Sequence, residues 1–306
     1  MDLLLPDLAV FVRVVDCGSF SAAARQLGLT PSAVSRTVSR LEGQLGLRLL
    51  ERSTRQLRLS DVGAEVYQRG TGMLQAAREV VALAESAQET PRGLVRISMP
   101  KAFGRRVIHP LMPTFLARYP EVEVQLILND RMLNPVADEV DLMIQVADQP
   151  PAALVARPLM PVRQLLCASP AYLAQHGTPG HPMELAQHDC LYLGETASDA
   201  NWQLRRGSEQ HRVPVRGRYI CNHSEVRLEG MLQGYGIAVL PQFIAAPALA
   251  SGEAVQVLAD WEYIGAYQGT AWLLNTPNTR LTPKCRVLID YLLEVLSPQT
   301  GLTVPA

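Results

Sequence analysis

The pattern of apolar and polar positions at the start of the chain predicts two short helices. The apolar positions of the first recur at helical spacing: Leu8, Phe11, Val12 and Val15. Gly18 stands where that helix would end, because glycine readily adopts the left-handed conformation that closes helices. Ser19 is a favourable N-cap for a second, alanine-rich helix over Phe20–Leu27, and Gly28 follows as its end.

A third predicted helix, Pro31–Leu45, has two faces of different chemistry. Thr30 is its expected N-cap, with Pro31 at the first helical position. One face is apolar: Val34, Val38, Leu41 and Leu45. The opposite face has small hydroxyls and arginines: Ser32, Ser35, Arg36, Ser39 and Arg40. Two helices joined by a tight turn, the second with such a face, form the helix-turn-helix arrangement, and we predict that this face contacts DNA.

A two-stranded wing is predicted directly after the third helix. Two short apolar runs, Leu47–Glu51 and Leu57–Leu59, flank a polar segment that contains Arg52 and Arg55. Arginines at the tip of a wing contact phosphates or the minor groove, and such contacts position a protein on DNA without reading its sequence. We therefore predict that Arg52 and Arg55 contact phosphates or the minor groove.

The distribution of charge favours a nucleic-acid partner for this part of the chain. The whole chain has 28 lysines and arginines against 29 acidic residues, for a net charge of −1. Residues 25–60, by contrast, contain seven arginines and two glutamates. Composition bias explains why arginine greatly outnumbers lysine overall, but it does not explain this cluster. Clustered arginines suit bidentate recognition of phosphates and guanine edges.

A long helical pattern begins at Ser60 and runs to about Gln88. Its apolar positions fall seven residues apart: Val66, Met73 and Val80. A seven-residue repeat is typical of a helix that pairs with a second copy of itself. Packing of this helix on its own domain is the alternative. Gly70 and Gly72 weaken the helical pattern, because each costs about 1 kcal/mol against alanine.

The segment Leu8–Asp61 resembles the DNA-binding domain of LysR-type transcriptional regulators. The matching positions are Gly18–Arg25, Leu27, Thr30–Arg36, Leu41, Glu42, Leu45, Gly46 and Leu49–Arg52. In that family the helix that matches Pro31–Leu45 enters the major groove. The resemblance therefore implies DNA contacts from this helix and the wing, by Ser32, Ser35, Arg36, Arg40, Arg52 and Arg55. It also implies a dimer whose half-sites lie about one helical turn of DNA apart.

Beyond a predicted hinge at Glu89–Gly93, short β-rich runs alternate with helical segments. The predicted strands are Leu94–Met99, Val122–Leu128, Leu142–Val146, Leu154–Leu159, Gln164–Ala168, Val215–Cys221, Gly236–Leu240 and Gln268–Leu274. The predicted helices are Arg105–Tyr119, a short one between the second and third strands, Ala171–His176, Glu225–Gln233 and Pro283–Leu296. This alternation is typical of parallel sheets covered by helices, which bind ligands at the carboxyl ends of their strands.

This region resembles, more loosely, the effector-binding domain of the same regulators, which has the two-lobed fold of periplasmic binding proteins. The resemblance rests on Leu94–Tyr119, Asp141–Ala147, Leu166–Leu173 and Gly234–Pro241. It implies effector contacts in a cleft between two subdomains, from Pro100, Lys101, Ala102, Gln145, Val146, Ala147, Asn222, His223 and Ser224. Many relatives have Arg-x-Gly where this chain has Gln145-Val146-Ala147, so this chain lacks the positive charge that such an arginine would offer to a ligand.

Four side chains of this region have two interpretations each. Lys101 either binds an anion at a helix N-terminus or is a solvated surface lysine. Asn222 and His223 either contact the effector or cap the helix predicted from Glu225. Trp202 either forms an apolar wall of the cleft or lies in the core or on the surface.

The predicted fold class is α/β overall, with three parts. These are a winged helix-turn-helix, mainly α, over 1–60, a linker and dimerisation helix over 61–90, and a two-lobed α/β effector domain over 91–306. Its subdomains are expected at about 91–162 plus 266–300 and about 163–265. The expected partners are double-stranded DNA, a small-molecule effector and further copies of the chain, as a homodimer and then a homotetramer. RNA polymerase joins them if the protein is an activator.

Other classes of protein find little support. The chain has no nucleophile elbow, phosphate-binding loop or zinc-protease motif, so we predict no enzyme, no catalytic residue and no cofactor. The spacing of four residues matches no standard zinc pattern, and we predict no metal there: His176, His181, His188 and Cys190. The five cysteines are scattered, which favours reduced thiols in the cytoplasm, and a redox role for Cys190 or Cys221 lacks a nearby resolving cysteine. No apolar run approaches a membrane span or a signal peptide.

Two rival classes of function stay open on the sequence. An α/β enzyme or solute-binding domain with an incidental helical module would act on or bind a small molecule without affinity for DNA. A ligand-independent architectural protein would bind DNA with an affinity that no metabolite changes.

Overall fold

The chain forms two compact units. The computed structural model describes residues 5–52, 57–86, 90–130, 140–277 and 281–296. The N-terminal unit consists of Met1–Pro91, Leu133–Asp141 and Asn278–Cys285. The C-terminal unit consists of Arg92–Met132, Leu142–Pro277 and Arg286–Ala306.

The described part of the N-terminal unit consists of helices and a small hairpin. The helices are α1 (Leu5–Cys17), α2 (Phe20–Leu27), α3 (Pro31–Leu45) and α4 (Asp61–Ser86). The strands β1 (Leu50–Arg52) and β2 (Leu57–Leu59) pair antiparallel. The predicted bounds of α2, α3 and β2 are confirmed, whereas β1 begins three residues later than predicted.

Local signals in the sequence define the ends of α2 and α3. The hydroxyl of Ser19 accepts a hydrogen bond from the N–H of Ala22 at 3.4 Å, and that of Thr30 accepts one from Ala33 at 3.2 Å. Gly28 ends α2 in the left-handed conformation, with a φ of 65°. Because other residues rarely adopt this φ, glycine allows the chain to turn sharply into α3.

The apolar face predicted for α3 lies in the core of the N-terminal unit. Val34, Val38 and Leu41 are fully buried, in one cluster with Phe11 of α1 and with Leu49. Burial of each such side chain stabilises the fold by about 1.5–3 kcal/mol. This packing fixes the orientation of α3 on α1 and directs the opposite face of α3 to solvent.

Helix α4 is continuous despite its two glycines. A Cβ at Gly70 would lie 2.9 Å from Cδ1 of Leu8, so this glycine allows α1 and α4 to pack closely. Val66 packs against the core of the N-terminal unit, whereas Met73 and Val80 are 51% and 67% exposed. The first turns of α4 therefore pack on their own unit, and apolar side chains further along remain uncovered.

The C-terminal unit contains two lobes, each built on its own sheets. The first lobe has β3 (Gly93–Met99), β4 (Val122–Leu128), β5 (Leu142–Ala147), β6 (Val155–Val162) and β14 (Gly269–Asn275). They form one sheet in the order β4-β3-β5-β14-β6. β3 is parallel to β4 and β5, but β14 is antiparallel to β5 and β6. The predicted parallel sheet is therefore confirmed for β3, β4 and β5 and wrong for β14, which enters the sheet in the opposite direction after the chain has passed through the second lobe.

A helical segment follows β3 directly. It begins four residues before the predicted helix and changes geometry along its length: α5 (Lys101–Phe103), a π-helical turn (Gly104–Ile108), a 3-10 turn (His109–Leu111) and α6 (Met112–Arg118). Pro110 and Pro113 lack the N–H that a regular helix requires, which accounts for the irregular middle part. The final helix, α10 (Pro283–Leu296), has its predicted bounds.

The second lobe combines two sheets. One has the order β12-β7-β11-β8, from β7 (Gln164–Ala168), β8 (Cys190–Leu191), β11 (Ile237–Pro241) and β12 (Val255–Gln256). The other has the order β10-β9-β13, from β9 (Asn201–Arg206), β10 (Glu209–Pro214) and β13 (Glu262–Ile264). The helices are α7 (Pro170–His176), α8 (Ser224–Leu232) and α9 (Gln242–Ser251). One core cluster contains Trp202 of β9, Leu166 of β7 and Val239 of β11, and so joins both sheets.

The second lobe is also where the elements predicted from the sequence differ most from the observed ones. The strand predicted over Val215–Cys221 is wrong, because this segment makes only an isolated bridge, between Arg216 and Asp189. β9, β10 and α9 were not predicted. The charged ends of β9 and β10 obscure their alternation, and α9 contains Pro247 within a nearly uniform apolar stretch. The short helix predicted between β4 and β5 lies outside the described residues.

Among the helices of the described residues, none combines the length and the apolar content that crossing a bilayer requires.

Candidate functional site

The outward face of α3 presents hydroxyl and guanidinium groups to solvent. Ser32, Arg36 and Ser39 are exposed, and Ser35 is half-buried. Arg36 makes no hydrogen bond or ion pair with any described residue. Small side chains allow a helix backbone to approach a DNA groove closely, and a long arginine then reaches the base edges.

Arg40, on the same face, is bound by a carboxylate of its own unit. Its Nε donates to Oδ2 of Asp7 at 2.6 Å, and its Nη2 donates to Oδ1. Asp7 belongs to α1, and its side chain is only 10% exposed. The hydrogen bonds from Arg40 lower the pKa of Asp7 in spite of partial burial. Arg40 therefore fastens α3 to α1, and DNA would compete with Asp7 for its guanidinium.

The Asp7–Arg40 pair predicts a pH-dependent contribution to stability. Because folding lowers the pKa of Asp7 from about 3.8, the pair stabilises the fold above that pH and is lost as the pH falls through the folded value. We expect Asp7→Asn to lower the melting temperature at neutral pH, and to match the parent protein in strong acid. Thermal melts of both proteins along a pH series test this. A difference in melting temperature that is the same at every pH would contradict an ionic role.

The wing arginines fall at the limit of the described structure. Arg52 is the last residue of β1, and Arg55 lies outside the described residues. Their contacts with DNA stay a prediction. The base of the wing is joined to α3, because Oε1 of Glu42 accepts hydrogen bonds from the N–H groups of Leu49 and Leu50 at 2.8 and 3.2 Å.

A cavity lies between the two lobes of the C-terminal unit. Its volume is about 710 Å³, including the part open to solvent. Its aromatic walls are Phe103, Tyr192, Trp202, Phe243, Tyr263 and Tyr267. Its polar side chains are Asp130, Gln164, Asp199, Asn222, Ser224 and Arg227. A concave space with apolar walls and few polar groups is the usual form of a small-molecule site.

The structure brings part of the predicted effector site together at this cavity. The lining includes Pro100, Ala102, Val146, Asn222 and Ser224. Outside the lining lie Lys101, Gln145, Ala147 and His223. All of these contacts stay predictions.

Asn222 and His223 do not cap α8 with their side chains. Nδ2 of Asn222 donates instead to Oε1 of Glu195 at 3.2 Å. His223 occupies the N-cap position, but its side chain makes no capping hydrogen bond. The capping interpretation is therefore wrong for Asn222, whereas His223 holds the N-cap position without using its side chain.

Asp130 occupies the place that an anion would take in one of the two interpretations of Lys101. Nζ of Lys101 lies 3.0 Å from Oδ2 of Asp130, and the backbone N–H of Lys101 donates to Oδ1 at 3.0 Å. The ammonium group and the first N–H of the helical segment thus bind a carboxylate of the protein itself. The geometry gives no support to Lys101 as a ligand contact.

The buried cation of the cavity is a residue that the sequence analysis missed. Arg227 lies in α8 and is 5% exposed. Its Nη1 donates to the carbonyl oxygen of Cys221 at 2.7 Å, and its Nε to that of Val239 at 3.3 Å. Burial lowers the pKa of Arg227, which nonetheless stays charged because the ordinary pKa of arginine is so high. In the sequence Arg227 follows Ser-Glu-Val, and surface arginines occur in the same kind of context. The sequence therefore gives no signal that this arginine is buried.

The residues considered for zinc have other roles. His176 stacks on Tyr172 with ring centroids 4.3 Å apart, and Nδ1 of His188 is hydrogen-bonded to the Tyr172 hydroxyl at 3.1 Å. Cys190 is fully buried, and burial raises its pKa to about 12, so its reactive thiolate form is suppressed.

His181 belongs to a different group, with Glu209 and His211, whose ligand atoms lie within 4.8 Å of one another. Hydrogen bonds from His211 and Arg206 hold Glu209 and lower its pKa to about 2. Nδ1 of His181 accepts from the N–H of Met183, so the proton of the neutral ring lies on Nε2. All three side chains hydrogen-bond within the protein, and we assign no metal to this cluster.

The sequence matches two protein-family models, one over the part that contains α3 and one over the part that contains the interlobe cavity. Residues 5–64 match the family described as bacterial regulatory helix-turn-helix protein, lysR family. Residues 88–297, more than half of the chain, match the LysR substrate binding domain. The chain belongs to the LysR-type family of transcriptional regulators. This LysR-type regulator thus combines a DNA-binding helix-turn-helix with an effector-binding domain, as the sequence predicted.

The similarity to known proteins covers nearly the whole length of this LysR-type regulator. The probable HTH-type transcriptional regulator LtrA of Klebsiella pneumoniae is 50% identical over 304 residues, which are 99% of this chain and 98% of LtrA. The full-length structure of AphB, a virulence activator of Vibrio cholerae, is 28% identical with a TM-score of 0.66, and covers 95% of this chain and 99% of AphB. The structure of CrgA from Neisseria meningitidis is 31% identical with a TM-score of 0.62, and covers 97% of this chain and 99% of CrgA. The predicted fold class is confirmed.

Proposed function

We propose that this regulator reads its DNA site with the outward face of α3 and contacts the DNA backbone with its wing. The contacting residues are Ser32, Ser35, Arg36, Ser39 and Arg40 of α3, with Arg52 and Arg55 of the wing. The observation that carries the proposal is the position of α3: its apolar side is buried and Arg36, on the opposite side, is exposed without a partner among the described residues. The matching helix-turn-helix family supports the same surface.

Two copies pair through α4 in this proposal. Met73 and Val80 are exposed apolar residues one heptad apart, as expected on a helix that pairs with its twin. We divide the chain functionally into 1–60 for DNA binding, 61–90 for pairing and 91–306 for effector binding and further assembly. Two dimers form the homotetramer, which acts in the cytoplasm and contacts RNA polymerase where it activates.

A small molecule in the interlobe cavity is the proposed signal. Pro100, Ala102 and Asn222 line that cavity and are kept as effector contacts, whereas Lys101, Gln145 and His223 lack this support. The ligand acts only through its different affinity for the two arrangements of the DNA-binding heads. We assign the C-terminal unit a binding role rather than a catalytic one, since the relatives are named as transcriptional regulators.

The test is a binding titration of the full-length protein on a labelled duplex from its own upstream region, with a scrambled duplex as control. We expect preference for the upstream duplex, and an affinity that falls as salt rises, because phosphate contacts release counterions. Sedimentation in the same buffer should show a dimer or a larger species. Equal affinity for both duplexes, or a single sedimenting chain, would refute the proposal.

A thermal-shift screen of metabolites then separates the regulator from a ligand-independent architectural protein. A compound that raises the melting temperature should also change the DNA affinity or the protected length of the site. If compounds stabilise the protein but leave DNA binding unchanged, the regulatory coupling is wrong.

A further inference from the structure

The buried guanidinium of Arg227 in the interlobe cavity forms no ion pair within the described part of the chain. Arg227 lines the cavity, and its two hydrogen bonds go to the backbone carbonyl oxygens of Cys221 and Val239. The charges of Glu195 and Asp199 act on it through space, but neither carboxylate forms an ion pair or hydrogen bond with it. Its guanidinium has further N–H donors that the two bonds to carbonyl oxygens do not use. A buried charge without a partner is costly to a fold. Arg227 is therefore suited to bind a charge that a ligand supplies.

The acidic groups of the lining have partners of their own. Oδ2 of Asp199 accepts hydrogen bonds from the N–H groups of Glu195 and Thr196 at 2.7 and 2.8 Å. Asp130 is paired with Lys101. Arg227 is thus the cation, among the described residues of the lining, that is left for an anionic ligand.

A second polar group of the cavity is also unsatisfied. Gln164 is 9% exposed, and its Oε1 is buried without a hydrogen-bond partner, although its Nε2 donates to the carbonyl oxygen of Tyr267 at 2.7 Å. An unpaired buried acceptor is unfavourable unless a ligand donates to it. Tyr267 itself has a φ of 58°, and such backbone strain in a non-glycine residue is often found where ligands bind.

We propose that the effector is a small organic carboxylate. Its carboxylate binds the guanidinium of Arg227, a hydroxyl or amine group donates to Oε1 of Gln164, and its apolar body lies against aromatic walls such as Trp202 and Tyr263. This inference rests on the interlobe cavity being the effector site, as proposed above. Gln145 brings no charge to the cleft, and Asp130 already neutralises Lys101, so the second lobe supplies the anion contact in this chain.

The experiment compares carboxylates with uncharged amides of nearly the same shape, by calorimetry on the full-length protein. The probes are benzoate against benzamide, and mandelate against mandelamide, with phenylacetate to isolate the hydroxyl of mandelate. We expect each carboxylate to bind at least about tenfold more tightly than its amide, since hydrogen bonds between charged groups have about this effect. Mandelate should bind more tightly than phenylacetate.

Variants assign the preference to Arg227. Arg227→Gln should abolish the discrimination between carboxylate and amide, whereas Arg227→Lys should keep part of it. Arg212→Gln, at an exposed arginine of the same lobe, is the matched control and should bind as the parent protein does. Because Arg227→Gln removes a buried group, its melting temperature and its DNA affinity without ligand are measured first. If it does not fold, the comparison of probes on the parent protein decides.

The outcomes separate this inference from the proposed function. If amides bind the parent protein as tightly as carboxylates, or no carboxylate binds at millimolar concentration while DNA binding is intact, the inference is overturned and the proposed function stands. If Arg227→Gln folds and keeps the full preference, the anion contact is elsewhere and the inference is also overturned. A parent protein that fails to prefer its own DNA site refutes the proposed function itself.

Discussion

The Arg36→Ala variant is expected to bind the cognate DNA site more weakly by about 1–3 kcal/mol, which is about 5- to 150-fold, and to lose its preference at one base pair. Arginine recognises guanine through two parallel hydrogen bonds that alanine cannot form. Arg36 is exposed and has no partner among the described residues, so its removal leaves the core of the N-terminal unit intact. Fluorescence anisotropy on duplexes that differ by single base pairs measures both effects.

The matched comparison for Arg36 is an arginine of the wing. Arg55→Ala should weaken binding to all duplexes alike and reduce the slope of log affinity against log salt by about one, as the loss of one phosphate contact does. Arg40→Ala is a poor comparison, since it also removes the partner of Asp7. An Arg36→Ala protein that keeps its full base preference would contradict the placement of α3 in the major groove.

Trp202→Ala is expected to destabilise the C-terminal unit by about 3–5 kcal/mol, the usual cost of truncating a large buried aromatic residue. Trp202 is 1% exposed, belongs to the core cluster that joins both sheets of the second lobe, and lines the interlobe cavity. It therefore combines the two roles that its sequence left open. Denaturant unfolding measures the change in free energy, and calorimetry with the carboxylate probes measures the loss of binding.

Trp202→Phe is the control for this second prediction. It keeps an aromatic ring in the core, so it should lose clearly less stability than the alanine variant. If Trp202→Ala unfolds at the same denaturant concentration as the parent protein, Trp202 does not hold the two sheets together and its assignment to the core is wrong.

The N-terminal unit was predictable because its signals are local. Thr30 and Pro31 start α3, Gly28 ends α2, and the spacing of Val34, Val38 and Leu41 shows which side of α3 is buried. Each of these signals acts within a few residues, through backbone conformation or helical periodicity. Once the buried side of α3 is known, the residues on its opposite side are known as well, because the helical repeat fixes both.

The C-terminal unit was predicted less well because its structure depends on pairing between distant segments. β14 returns to the first lobe as an antiparallel strand. The sequence of Gly269–Asn275 alone does not indicate which strands this segment pairs with. β9 and β10 have charged residues where a regular alternation would be expected, and their burial depends on the cluster around Trp202.

The sequence by itself determined the helix-turn-helix, the family and the presence of an α/β domain after it. Helix caps, periodicity and motifs depend only on residues that are near one another in the chain. Only the tertiary structure decided which charges are already paired. It joined Asp7 to Arg40 and Asp130 to Lys101, and it left Arg227 buried without an ion pair to any described carboxylate. Electrostatic pairing depends on distances between residues far apart in the chain, and these exist only once the chain has folded.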